Sequence, residues 1–148
     1  MRSWKRNAWM TLAFAATLLL AGSATAEVVA ARGELIAAGN GFAVLDLRGV
    51  ATLRGLGLVI VERDAIVDTE GHGRVTPLGE GRVIFEGFGR VTVRSHDERT
   101  RIEAGGARLR LRARGVGVAF LKGVGHFTTD DQDGSWGADL AVEFESLD

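Results

Sequence analysis

From residue 27 on, apolar and polar positions alternate with a period of two, and pairs of glycines interrupt the alternation at even intervals. The segment from Arg82 to Val93 shows the pattern. Val83, Phe85, Val91 and Val93 share one side with Gly87 and Gly89, while Arg82, Ile84, Glu86, Phe88, Arg90 and Thr92 share the other. Successive side chains of a strand point to opposite faces, so this period predicts β-structure, and the many β-branched residues agree with it. The segments Val50 to Val61 and Val118 to Thr129 repeat the arrangement, and no stretch after residue 26 sustains a helical period.

The interruptions are periodic themselves. Gly39-Asn40-Gly41, Gly55-Leu56-Gly57, Gly71-His72-Gly73 and Gly87-Phe88-Gly89 follow one another at sixteen residues, and Gly105-Gly106 and Gly123-Val124-Gly125 continue at eighteen. A second series, Gly33, Gly49 and Gly81, runs ahead of the first, with Ala65 in the missing place. A fixed period of this kind marks a repeat architecture. Two local readings compete: Gly-x-Gly is a turn between two short strands, or one strand of about twelve residues passes through it and bends. The second is preferred, because Leu56, Phe88 and Val124 are poor turn residues. Turn chemistry gathers instead at Arg63-Asp64, Gly79-Glu80 and Ser95-His96-Asp97-Glu98.

The expected fold is therefore all-β, an antiparallel meander of six or seven bent strands forming a small barrel or a sandwich, with a β-solenoid of sixteen-residue coils as the alternative. In the fifth unit Ile102 and Ala104 keep one phase and Leu109 and Leu111 take the other, which predicts a β-bulge at Gly105-Gly106. Pro77 lacks an N–H and places its strand at an edge or ends it. The polar run Asp130 to Gly134 is expected to turn into a last strand from Ala138 to Glu145 that carries Leu140, Val142 and Phe144 on one face. Gly87→Val is expected to be costly, and Gly41→Ala less so. The repeat resembles exported bacterial Gly-x-Gly β-repeat proteins of unknown function, with an adhesin-head-like and bactofilin-like look over about Gly33 to Thr129. The resemblance implies a β-repeat fold and assigns no functional residue.

The first 26 residues read differently. Arg2, Lys5 and Arg6 precede an apolar run from Met10 to Ala21, and Ala24-Thr25-Ala26 is a small-x-small cleavage site. That is the layout of a secretory signal peptide, and the run is too short to span a bilayer. Residues 27–148 are then a single exported domain, periplasmic or extracellular in a bacterium, with no transmembrane segment after cleavage. Ser23 stands where a lipidated cysteine would have to be. The chain has no cysteine at all, so disulfides and thiolate chemistry are excluded. Its formal charge of −1 becomes −4 once the three basic residues of the leader are removed, which disfavours nucleic-acid binding.

Candidate chemistry is sparse. His72, His96 and His126 show no ligand spacing, and Asp130-Asp131-Gln132-Asp133-Gly134 departs from a calcium loop in both spacing and its missing glutamate. Ser95, Ser135 and Ser146 lie in no nucleophile motif. The expectation is a non-enzyme without catalytic residues, metal or cofactor. Arg108, Arg110, Arg112 and Arg114 share a strand face and are candidate anion-binding residues; the plainer reading pairs them with acids such as Glu143 and Glu145. Leu56, Leu58, Ile60, Phe88, Phe120 and Val124 fall on the outer side, as do Val50, Ile84 and Val118. They form either an interaction surface or a layer covered by a second sheet. The expected role is binding or structural assembly, with self-association or an envelope component as partner, or else a small barrel that takes up an apolar or anionic envelope ligand.

Overall fold

The structure is a computed structural model that describes residues 27–62, 65–95, 98–137 and 139–146. The predicted leader at 1–26, the turn residues Arg63, Asp64, His96 and Asp97, and Ala138 lie outside the described residues. Among the described residues every regular element is a strand: β1 (Glu27–Arg32), β2 (Leu35–Val61), β3 (Ile66–Gly79), β4 (Arg82–Arg94), β5 (Thr100–Thr128), β6 (Asp133–Ser135) and β7 (Leu140–Glu145). They form one sheet in the order β1-β7-β5-β2-β4-β3, with β6 paired to β5. Among the described strands, sequence neighbours pair as hairpins at β3–β4 and, briefly, at β5–β6, and β1 pairs with β7 in parallel, so the sheet is mixed rather than a meander. No ladder joins β1 to β3, so the sheet coils without closing into a barrel.

Strands do run through the Gly-x-Gly sites, and much further than twelve residues. β2 has 27 residues and β5 has 29. Fully extended they would reach on the order of 90 Å, several times the size of a domain this small, so they must bend. They bend by winding around each other. Ala37 pairs with Leu111 on one edge of β2 and with Phe127 on the other, and Leu111 in turn pairs with Ala37 and Leu53. The sixteen-residue repeat is thus one turn of a two-strand ribbon: a position and its counterpart one repeat later lie on either side of the same partner strand.

The winding gathers one face of both strands into a single core. Leu35, Leu45, Leu47, Leu53, Val59 and Val61 of β2 are buried with Ile102, Leu109, Leu111, Leu121 and Phe127 of β5, Phe85, Val91 and Val93 of β4, and Leu140, Val142 and Phe144 of β7. The glycines stand in the same inward phase, in rows that cross the sheet: Gly57 opposite Gly87 and Gly106, Gly41 opposite Gly106 and Gly123, Gly49 opposite Gly115. The last pair shows why. Gly49 has φ +147° and Gly115 has φ +117°, and a Cβ on either would strike the carbonyl oxygen of the strand beside it, Arg114 or Arg48. Only glycine allows so tight a bend and so close an approach.

Two serines continue that glycine row. Ser95, just after β4, donates its N–H to the Gly49 carbonyl at 2.9 Å and accepts the Gly49 N–H on Oγ at 3.1 Å. Ser146, just after β7, does the same with Gly115, at 2.9 and 2.7 Å. Each side chain stands in for the backbone carbonyl the ladder has run out of. The hydroxyl of Ser95 also donates to the Leu47 carbonyl.

The predicted bulge exists, two residues beyond the expected place. Both ladders of β2 slip by one residue at Ala107-Arg108, where Arg108 takes φ +54° and its N–H bonds Asn40 Oδ1 at 2.8 Å. Pro77 lies near the end of β3, the outermost strand. Glu80 and Gly81 turn β3 into β4 with φ of +55° and +78°, a two-residue turn with both φ positive. The acidic run is placed differently from the expectation. The turn is Thr129–Gln132, and Asp133-Gly134 opens β6, which pairs back on β5. Asp131 accepts the Arg32 N–H at 2.7 Å, tying this turn to β1.

Candidate binding surface on the outer face

The side opposite the core carries two adjoining rows of different chemistry. Along the first, Arg54 of β2 stands directly opposite Arg90 of β4 on one edge and Arg110 of β5 on the other. One step along the strands Arg112 lies beside Thr52, itself opposite Thr92; a further step places Arg94 and Arg114 on either side of Val50. Neighbouring strands are about 4.8 Å apart and same-face residues about 7 Å apart, so six guanidinium groups share a patch on the order of 10 by 14 Å. Like charges directly opposite one another destabilise a sheet. The row Arg90, Arg54, Arg110 therefore works against the fold that carries it.

Acids compensate only part of this charge. Arg90 bonds Glu70 of β3, and Arg112 and Arg114 reach Glu34 at 2.5 and 3.9 Å. Arg54, Arg94 and Arg110 make no ion pair with a described residue. The expected partners Glu143 and Glu145 are not used: β7 lies across the second half of β5, opposite Val118 and Val116, while these arginines stand on its first half. Arg108 is exposed but sits in the bulge, out of the register of the other three.

The second row is apolar. Phe88 faces Leu56 across the β4–β2 ladder and His72 across the β4–β3 ladder, and they are 61% and 55% exposed for Phe88 and Leu56. Leu58 follows, then Gly105, over which the exposed Phe42 ring lies, 2.9 Å from where a Cβ would be. Val124, opposite Asn40 at the far end, is 76% exposed. No second sheet covers these residues among those described. Ile60 and Phe120 are half-buried and stand in another row, on either side of Glu103 and Val44, so the structure separates them from Leu56 and Phe88. Val118 is buried, lining a groove with Arg99, Ala30 and Glu143 rather than facing outward freely. The alternation missed Phe42, whose signal was an aromatic residue next to Gly41 in the outward phase.

Among the described residues the core is filled by its own side chains. Leu53, Phe85, Leu121 and Phe127, which would have to stand aside for a cargo, are all buried, and the gap beside the glycines at Leu53, Val59, Phe85 and Leu109 amounts to about 10 Å³. That is room for about one water. No group of three or more metal-binding side chains occurs among the described residues, and no helix there is long and apolar enough to cross a membrane. Comparison with protein-family models, with curated proteins and with solved structures found no match.

Proposed function

We propose that this chain is an exported, non-enzymatic β-domain that acts by binding, and that its outer face holds an anionic amphiphilic surface such as an acidic phospholipid layer. The observation that carries the reading is the row Arg90, Arg54, Arg110 running alongside Phe88 and Leu56. Arginine forks suit phosphate oxygens, and the adjoining apolar side chains suit the acyl region just beneath a headgroup. Like charge that acids compensate only in part, kept at a cost in stability, supports a ligand of opposite sign. Ser95 and Ser146, which lie in no nucleophile motif, support a binding role too, since both spend their hydroxyls on glycine backbone.

Sedimentation with vesicles tests this. The protein should pellet with phosphatidylglycerol vesicles and not with phosphatidylcholine ones, and binding should fade as salt screens the charges. Each arginine near such a surface contributes about 1 kcal/mol, so Arg54→Glu with Arg110→Glu should weaken binding by about tenfold or more. Equal binding to both lipids, or binding unchanged by the double reversal, would overturn the assignment.

A further inference from the structure

The free edge of β3 is the least explained part of the molecule. It is the last strand of the sheet, from Asp68 outward it has no described neighbour on that side, and its second half is exposed on both faces, with Val75 and Leu78 open to solvent. Natural sheets blunt such edges, commonly with charges and proline, because an unpaired edge recruits other strands. β3 has both, in Asp68, Glu70, Arg74 and Pro77. The arrangement of the charges, however, is not that of a blocked edge.

We infer that β3 is the interface of a homodimer, pairing antiparallel with β3 of a second copy about a two-fold axis at His72. Within the chain, glycine meets glycine across the neighbouring ladders: Gly71 opposite Gly89, Gly73 opposite Gly87, and Gly87 and Gly89 opposite Gly57 and Gly55. One antiparallel register extends this rule across the free edge for both glycines of β3 at once, setting Gly71 against the partner's Gly73. That register sets His72 against itself and Glu70 against the partner's Arg74. Glu70 already stands opposite Arg90, and Arg74 opposite Glu86. The outer face across the four strands then reads Arg90, Glu70, the partner's Arg74, the partner's Glu86, with signs alternating throughout.

The remaining pairs agree. Ile66 meets the partner's Leu78, Thr69 meets the partner's Val75, and Pro77, with no N–H to offer, falls near the end of the ladder against the partner's Val67. A slip of two residues either way leaves one glycine facing a larger residue and breaks the charge alternation. A two-fold axis demands a self-complementary patch, and this strand supplies one. The pairing is independent of the arginine face, so a failure of either leaves the other standing.

A cysteine reports the register directly, because the chain contains none. His72→Cys should cross-link to its own copy under mild oxidation, since directly opposed residues of an antiparallel pair lie within disulfide reach. Thr76→Cys, offset by eight residues from its copy in this register, should stay uncross-linked. Analytical ultracentrifugation of the unmodified protein should show a dimer, and Arg74→Glu should raise its dissociation constant at least tenfold while leaving the far-ultraviolet circular dichroism unchanged. A monomer at 100 µM (on the order of the concentration at which weak dimers form), or a dimer in which His72→Cys links no faster than Thr76→Cys, would overturn the proposal.

Discussion

The wound ribbon of β2 and β5 and the hairpin of β3 and β4 are written in the same repeat, yet they come to very different ends. In the ribbon each strand has neighbours on both edges, and its inward side chains, from Leu35 to Val61 and from Leu109 to Phe127, are buried. In the hairpin β4 shares that core through Phe85, Val91 and Val93, whereas Val75 of β3 holds the same phase and is half exposed. Gly-x-Gly thus sets where a strand bends and which side faces in. Whether the inward side is buried depends on how many further strands wrap around it, and at β3 the wrapping stops.

This contrast can be pressed by mutation. Phe127→Ala should have the largest effect, about 3–5 kcal/mol for an aromatic side chain removed from a closed core, while Val75→Ala should stay within about 0.5 kcal/mol. Urea unfolding measures both, and similar losses at the two sites would mean that the hairpin is as well packed as the ribbon. Glycine substitutions sharpen the same point. Gly41, at φ +141°, has ribbon strands on both edges, and a Cβ there would strike the Lys122 carbonyl; Gly87, at φ +138°, would strike His72 of the edge strand. Gly41→Val should cost at least about 3 kcal/mol through backbone strain and overpacking, and Gly87→Val less, because β3 can yield outward. The expectation from sequence set Gly87→Val against the milder Gly41→Ala; for the same substitution at both sites, the wound strands put the larger cost at Gly41. Smaller effects than at the glycines belong to the serines that attach each region to the Gly49–Gly115 row. Ser95 is itself buried and also bonds the Leu47 carbonyl, so Ser95→Ala, which leaves the Gly49 N–H without its acceptor, should cost about 1–2 kcal/mol; Ser146→Ala, at a half-buried side chain, should cost less. Equal losses would show that the two attachments are equally closed to water.

Some of this was legible in the residues and some was not. Alternation through Leu53, Phe85 and Leu121 identifies strands and their inward side, because the period of two is a property of the extended backbone alone. The phase change between Ala104 and Leu109 likewise announced a bulge, though the residue that carries it, Arg108, is not a glycine and gave no local sign. The arginine row was half visible. Arg110, Arg112 and Arg114 alternate along one strand, but Arg54 and Arg90 join them only through ladders between segments far apart in sequence. For the same reason Glu34 rather than Glu143 became the counter-charge, and Ile60 and Phe120 fell away from Leu56 and Phe88.

By itself, then, the sequence determined extended chain, the positions of the bends and the inward set of side chains, since steric preference and period act within a few residues. The tertiary structure decided that a sixteen-residue repeat would be a turn of two strands wound together rather than a row of hairpins. It decided which arginines share a row and which strand is left with an open edge. These depend on register, and register is set only when a long strand meets its partner on both sides and glycine must face glycine for the backbones to approach.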